Sequence, residues 1–306
     1  MTPRGATDLC GILPIDKPSG MTSHDVVGVV RRATGERRVG HAGTLDPAAT
    51  GLLVVLVGPA TRLAPYLTAA TKTYEATVVF GSETDTADAE GAVSREAAVP
   101  APVSDPTFAE ETLRTWIGEY NQVPPAYSAI KLAGQKAYDL ARAGKPVEIE
   151  PRRVEIVAAQ LREVRTGPPV AWDIELTVSK GFYVRAFAQD LGASLDTAAH
   201  LGALRRTASG RLSIEDAACL DAIRSTDDVT RHFVSAVDAL ELTAVGIDDV
   251  RAARVAVGSP LSSDGLGLDP EDPGPFALYN NDAFLGAYRR ERAMILPEVV
   301  IPGGMR

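Results

Sequence analysis

Asp46 is set apart by its surroundings. It lies in Gly40-His41-Ala42-Gly43-Thr44-Leu45-Asp46-Pro47-Ala48-Ala49-Thr50-Gly51. The glycines tolerate positive φ, and Pro47 fixes its own φ while biasing Asp46 toward extended backbone. The apolar, β-branched run Leu52–Val57 follows directly and reads as a buried strand. A carboxylate on a stiff loop anchored to a core strand is placed to act as a nucleophile or a base. Asp, Gly and Pro are equally the ordinary residues of a turn, so on physical grounds both readings stand. His41, in the same stretch, reads as a pH switch or as a loop hydrogen-bonder, and the sequence gives it no nucleophile to activate.

Other side chains invite the same question. Tyr74 sits in Thr71–Gly81, whose alternation suits a strand. Its ring is a core or cross-strand aromatic by default, but a flat ring also suits a base that has left its helical stack. Trp172, Ile174, Leu176 and Val178 alternate on one face of a second strand, which runs into Ser179-Lys180-Gly181-Phe182-Tyr183-Val184-Arg185. Continued strand spacing puts Tyr183 and Arg185 on one face. There Arg185 can reach a carboxylate and Tyr183 can cover it; an exposed strand-end arginine is the commoner alternative. Arg31, Arg32, Arg37 and Arg38 precede the aspartate loop, as a solvated face or as phosphate contacts. The polar run Ser82–Gly91 lacks the glycine and closing glutamate of a calcium loop and reads as a loop. Neither a metal-ligand cluster nor a P-loop is seen.

The elements that must hold these groups follow from the pattern. Ile12–Ile15 reads as a short strand, Lys17–Gly20 as a turn, and Thr22 or Ser23 as the cap of a helix through Asp25–Arg32. Residues 92–106, rich in Ala, Pro and Ser, form a connector, and Thr107–Gly118 reads as a helix. Pro124 and Pro125 stiffen Asn121–Lys131, and Gly134–Gly144 reads as a helix stopped by Gly144. Pro151–Ile156 begins a strand, and Ala186–Leu195 is a helix. Beyond residue 245, short β-like runs (Val255–Val257, Phe276–Tyr279, Phe284–Arg289) alternate with Gly/Pro/Asp loops.

The 306 residues suffice for one large domain and a small one, and 45% hydrophobic with 23% charged residues fits a globular protein with a real core. Two cysteines, Cys10 and Cys219, make no disulfide framework and suit a reducing compartment. No apolar run approaches membrane-spanning length and the N-terminus lacks a signal-peptide core, so the expected location is cytoplasmic, with no membrane contact. The net charge of −9 hides its distribution: +2 over residues 1–80, −7 over 81–120, +4 over 121–211 and −8 over 212–306. The two blocks that hold the candidate chemistry are positive, which leaves room for a local phosphate-binding surface.

Several of these stretches, in order, resemble the motifs of the TruB family, the bacterial synthases that make pseudouridine in the T-loop of tRNA. Arg38-Val39-Gly40-His41-Ala42-Gly43-Thr44-Leu45-Asp46-Pro47 is similar to the catalytic motif, and Lys17-Pro18 to the first motif. Pro124-Pro125-Ala126-Tyr127-Ser128-Ala129-Ile130-Lys131 and Ser179-Lys180-Gly181-Phe182-Tyr183-Val184-Arg185 are similar to two others. The resemblance covers about residues 11–211, and His200–Thr207 extends it. It implies an enzyme that isomerises uridine 55, by base flipping, glycosidic bond cleavage and C–C bond formation. It implies Asp46 as the catalytic carboxylate, Arg185 as its partner and Tyr74 stacked on the base. It also implies Tyr183 packed over the site, Leu204 as a wall of the base pocket, and His41 holding RNA. Lys17 lends support beside the cleft; Lys131, Arg205, Arg206 and Arg211 stand as RNA contacts. The implied fold is α+β, with a mixed, mainly antiparallel sheet flanked by helices over 1–244, a connector or insert at about 82–110, and a small PUA-like β domain over 245–306. Any RNA contact by that small domain rests on Arg289, Arg290 and Arg292. The implied partner is the tRNA T-arm, met by a monomer without metal or cofactor. Three alternatives remain: an RNA-folding protein using the same cleft, a base-releasing glycosidase (which usually needs two carboxylates), and a guide-RNA-dependent synthase with partner proteins.

Overall fold

A computed structural model of the chain describes residues 7–125, 127, 131–132, 135–136 and 149–305. The strands in chain order are β1 Gly11–Lys17, β2 Val39–Ala42, β3 Thr50–Val57, β4 Lys72–Phe80, β5 Ser82–Thr84, β6 Val93–Glu96, β7 Gly118–Gln122, β8 Lys131–Leu132, β9 Gln135–Lys136 and β10 Arg152–Arg165. They continue with β11 Ala171–Val178, β12 Ala199–Ser209, β13 Leu212–Ser213, β14 Ala218–Cys219, β15 Thr243–Gly246, β16 Leu261–Ser262, β17 Phe276–Asn280, β18 Ala283–Glu291 and β19 Met294–Met305. The helices are α1 Ser23–Thr34, α2 Ala64–Ala69, α3 Pro106–Thr115, α4 Val184–Ser194, α5 Leu220–Ser225, α6 Ala236–Ala239 and α7 Asp249–Ala256. Among the described residues no helix is long and apolar enough to cross a membrane.

The chain forms two compact units. The first comprises Met1–Pro47, Gly51–Ala70 and Ala208–Arg306; the second comprises Ala48–Thr50 and Thr71–Thr207. In the first unit β1 pairs antiparallel with β3 from Gly11↔Val57 to Lys17↔Gly51, and parallel with β14. β2 also lies antiparallel to β3, with Ala42 opposite Val54. Gly51–Val57 is buried throughout, as expected of a continuous apolar run packed on both faces. The α1 helix starts where its sequence says it should. The Thr22 side chain accepts the Asp25 N–H, the Asp25 carboxylate accepts the Thr22 N–H, and this capping box satisfies two end groups at once. Val26, Val27, Val29 and Val30 are buried, each contributing about 1.5–3 kcal/mol.

The C-terminal strands form a separate five-stranded sheet in the order β15-β17-β18-β19-β16, parallel only at β15–β17. Alternation divides its side chains. Ala277, Phe284, Ala287, Val299, Ile301 and Met305 share one apolar cluster with Ile12, Leu52, Val54 and Leu56 of the N-terminal strands. Phe276, Leu278, Tyr288 and Ile295 face a second cluster that includes Val255 of α7. Contact thus joins residues 245–306 to the N-terminal strands in one unit, a different line from the boundary at 244/245 drawn from the sequence. Val255–Val257, expected as a β-like run, is the end of α7 and its C-cap. The Asp248 carboxylate accepts the Arg251 N–H and starts the helix, and only Val255 turns inward while Val250 and Val257 are exposed.

In the second unit the strand order is β12-β4-β11-β10-β7, with β4, β11, β10 and β7 successively antiparallel. Trp172, Ile174, Leu176 and Val178 are at most 1% exposed, the single face their alternation predicts. The Trp172 indole donates to the Val103 carbonyl and meets Phe80 edge to face at 4.9 Å. Residues 92–106 hold more structure than a connector: β6 and a 3₁₀ turn at Ala101–Ser104. Of the helix expected at Gly134–Gly144, Gln135–Lys136 is strand β9, and the remaining residues lie outside the described residues. Ala126, Ser128, Ala129 and Ile130 lie outside them too.

Candidate active site

The first unit holds Asp46, between β2 and β3. Gly43 (φ 97°) and Gly51 (φ 98°) bracket it in the left-handed region that favours glycine. The residues on either side of Asp46 are fixed through their main chains. Ser23, the first residue of α1 and 2% exposed, places its Oγ 2.9 Å from the Leu45 nitrogen and 3.1 Å from the Leu45 oxygen. One hydroxyl thereby serves both peptide groups of Leu45. On the other side the Pro47 carbonyl accepts from the Gly20 N–H at 2.9 Å and from Lys17 Nζ at 3.1 Å. Lys17 is fully buried, and the same ammonium donates to the Pro18 carbonyl (2.9 Å) and the Met21 carbonyl (2.7 Å). Asp46, held from both sides, is half-buried. These bonds fix the loop by main-chain atoms on either side of the carboxylate.

His41 is half-buried on β2, opposite Val55. Just upstream, Glu36 is 1% exposed and accepts from the Thr7 N–H (2.7 Å), the Thr7 hydroxyl (3.0 Å) and the Arg38 N–H (2.7 Å). Burial pushes its carboxyl up, but the hydrogen bonds and the Arg38 charge prevail and hold it below the usual range. Arg31 donates to the Val39 carbonyl, so one of the four arginines before the aspartate loop is spent on the fold.

The second unit holds Tyr74, Tyr183, Arg185, Leu204, Arg205 and Arg206. Tyr74 is half-buried on β4 opposite Leu176, and both Tyr74 and Leu204 pack against the apolar core. The strand spacing expected to align Tyr183 with Arg185 does not exist, because β11 ends at Val178. Tyr183 (φ −116°, ψ 109°) is instead the N-cap of α4, and Arg185 is the second residue of that helix. The helix begins two residues earlier than Ala186, where the extended backbone of Tyr183 meets helical geometry. Arg185 is 6% exposed. Its Nη1 donates to the Thr86 carbonyl (3.0 Å) and lies 3.7 Å from Asp88 Oδ2, while Nη2 donates to the Tyr127 carbonyl (2.8 Å).

Asp88 went unrecognised in the sequence, inside the polar run read only as a loop. Its Oδ1 accepts from the Thr86 hydroxyl (2.6 Å) and the Glu90 N–H (3.1 Å), leaving Oδ2 toward Arg185. The loop is tied to β12 by Ala89 N–H to Leu201 O and Leu201 N–H to Ala87 O, both at 3.0 Å. Alternating Thr and Asp is the visible signal, since such residues build side-chain-to-backbone turns.

The cations divide by burial. Arg205 is half-buried and its Nη1 lies 3.5 Å from the Thr50 hydroxyl. Arg206, expected as an RNA contact, is 1% exposed; a guanidinium so enclosed is a core cation and reaches no phosphate from where it stands. The Lys131 backbone forms part of β8, and its side chain lies outside the described residues. Of the C-terminal arginines, Arg289 is ion-paired with Glu298. Arg290 donates to the Asp272 and Asp269 carbonyls over the Phe276 ring. Arg292 lies in an exposed turn. Among the described residues no cluster of three His, Cys, Asp or Glu is arranged to hold a metal.

Residues 31–184 match the family model described as TruB family pseudouridylate synthase (N terminal domain). The "tRNA pseudouridine synthase B" of Thermobifida fusca (strain YX) is 41% identical over 299 residues, covering 96% of this chain and 99% of that protein. The protein of the same name from Mycolicibacterium paratuberculosis is 45% identical over 271 residues, covering 82% and 92%. The fold is similar to that of a chain in the crystal structure of the archaeal box H/ACA sRNP Nop10-Cbf5 complex, with TM-score 0.70 and 22% identity over 95% of this chain and 86% of that one.

Proposed function

The chain belongs to the TruB family of pseudouridylate synthases, and on that premise we propose that it converts uridine to pseudouridine in tRNA, at position 55 of the T-loop. The observation that carries this reading is the aspartate loop. Ser23 fixes Leu45, Lys17 and Gly20 fix Pro47, and the half-buried Asp46 stands between them. Such fixing of a carboxylate suits a reaction that needs one at a defined point beside a ribose. Relatives called tRNA pseudouridine synthase B support the substrate.

The reaction is an isomerisation. The bond between N1 and the anomeric carbon breaks, a bond from C5 to that carbon forms, the C5 proton leaves to solvent, and N1 takes up a proton in its place. Asp46 supplies the carboxylate, as nucleophile at the anomeric carbon or as base at its 2′ neighbour. Arg185, fixed by Asp88 and two carbonyls, supplies buried positive charge. Tyr74 stacks on the base, Tyr183 packs over it and Leu204 forms an apolar wall. His41 and Lys131 contact the RNA, and Arg205 and the exposed Arg211 meet phosphates. Lys17 serves as a positioning residue. Flipping the base out costs a few kcal/mol, which the RNA contacts must offset. In this reading residues 1–244 carry the reaction, residues 245–306 are a PUA-like module, the protein works as a monomer, and no metal or cofactor takes part.

The test is tritium release from a T-arm transcript labelled at uridine C5, with wild type and Asp46→Asn. Release by wild type alone is expected. No release by folded wild type that still binds the RNA would overturn the proposal.

A further inference from the structure

Resting on the reading of Tyr183 and Arg185 as residues of the isomerisation, we propose that Gln122 is the positioning residue for this pair. Its side-chain amide fixes the Tyr183 main chain where α4 begins. Gln122 is the last residue of β7 and is 1% exposed. Its Oε1 accepts the Tyr183 N–H at 2.8 Å, and its Nε2 donates to the Tyr183 carbonyl at 3.0 Å. The carboxamide thus closes on both peptide groups of one residue, 61 positions away, as a strand neighbour would. The second Nε2 hydrogen goes to the Tyr120 hydroxyl at 2.7 Å.

The place where this happens gives it consequence. The Tyr183 side chain makes no capping bond to α4, and its carbonyl takes the Phe187 N–H at 3.1 Å. Whatever sets the Tyr183 peptide therefore sets the first turn of α4, and Arg185 stands in that turn. A guanidinium reaching two carbonyls and a carboxylate at fixed distances depends on its helix starting at one point. Arg185 returns the contact through the Tyr127 carbonyl, so Gln122 and Tyr127 are each tied to Tyr183–Arg185. Burying a carboxamide is unfavourable unless its groups are satisfied, and here its oxygen and both N–H groups have partners. An apolar residue would fill the space without that requirement, which points to geometry as what the amide supplies.

Among the described residues, titratable groups lie on the strands and helix packed around Gln122. Tyr120 lies on its own strand, held above its usual range by burial and the Asp190 charge. Asp190 lies on α4, where burial pushes its carboxyl up to about 6. Arg152, opposite Gln122 on β10, is exposed.

Two variants of the full chain test the assignment by single-turnover tritium release and RNA binding. Gln122→Met removes every bond at similar volume. It is expected to slow the single-turnover step about 10- to 100-fold, the effect of a displacement near 1 Å, with RNA affinity held within about twofold. Gln122→Glu carries its own control. Protonated, its acid keeps one acceptor and one donor toward Tyr183; ionised, it loses the donor and sets a charge against a carbonyl. Burial raises that carboxyl's pKa, so the ratio of variant to wild-type rate should be near one at low pH and fall as pH rises. Taking the ratio removes the titration of Asp190, which both proteins share. A folded Gln122→Met protein with wild-type rate, or one that loses RNA affinity alone, would overturn the assignment. So would a Gln122→Glu ratio that is flat with pH, which decides the matter if the Met variant does not fold. Absence of tritium release by wild type would overturn the functional reading and this assignment together.

Discussion

Replacing Ser23 by alanine removes one oxygen atom and should disable the Asp46 loop. Ser23 Oγ holds both the N–H and the C=O of Leu45, and Leu45 is 4% exposed. A buried donor or acceptor left without a partner costs about 1–3 kcal/mol, so two such groups give about 2–6 kcal/mol. The space left by the hydroxyl lets solvent or backbone relaxation recover part of this, placing the expected loss near the low end, about 2–3 kcal/mol. With a urea dependence of about 1–3 kcal/mol per molar, the unfolding midpoint should fall by roughly 1 M. The larger effect is on rate. Asp46 is the next residue, and a carboxylate displaced by about 1 Å loses on the order of 100-fold in the step it assists. Ser23→Thr separates the two effects. It retains the hydroxyl while forcing a methyl group into a filled site, at about 1–3 kcal/mol. Urea denaturation and single-turnover tritium release should then show two proteins of similar lowered stability, only one of which is slow. A Ser23→Ala protein with the wild-type rate, or rates of both variants that simply track their stabilities, would refute the argument.

Lys17→Met orphans the Pro18 and Met21 carbonyls, while Pro47 keeps the Gly20 N–H. The loss should be about 1–3 kcal/mol per carbonyl, reduced by relief of the buried charge, and is read as a lower urea midpoint with a slower single-turnover rate. Asp88→Asn leaves Arg185 its two carbonyls but removes the nearby charge. Single-turnover assays should show a drop of at least about tenfold with RNA binding intact, and an unchanged rate would remove Asp88 from the site. Glu36→Gln should destabilise by about 1–3 kcal/mol at neutral pH. Because the folded carboxyl lies below its usual value of 4.5, this stability is present above that pH and lost as pH falls through the folded pKa. The gap between wild type and variant in urea denaturation should therefore close in acid.

What was legible in the sequence was what is local. The N-cap of α1 at Thr22, one of the two residues offered for it, the buried run of β3 and the one-faced alternation of β11 are each settled within a few residues, and each appears where expected. The β-like reading of Val255–Val257 failed because β-branched composition yielded to one cap three residues from Arg251. The placement of Arg185 on a strand failed for a similar reason, since alternation persists in sequence past the point where pairing stops at Val178. Arg206 looked like its neighbour Arg205 because composition does not report which face of β12 is enclosed. Asp88 and Gln122 were passed over because their partners lie 97 and 61 residues away, measured to Arg185 and Tyr183.

These long-range partners share a form. Ser23 grips Leu45, Lys17 grips Pro47 and Gln122 grips Tyr183, in every case by main-chain atoms one or two residues from a side chain assigned to the reaction. A main-chain grip fixes position while leaving the neighbouring side chain its own charge and hydrogen bonds. A side-chain grip would consume the group that has to react. All three gripping residues are at most 2% exposed, so the bonds are short of competing solvent and hold their geometry. It follows that the polar residues buried beside such motifs are under geometric rather than chemical constraint. They should tolerate substitutions that preserve donor and acceptor placement and fail those that preserve only charge or size. Ser23→Thr against Ser23→Ala, and protonated against ionised Gln122→Glu, pose that question in each compact unit independently. Agreement between the two units would make main-chain positioning a principle common to both sets of residues. If only one unit responds, the other holds its residues by packing alone.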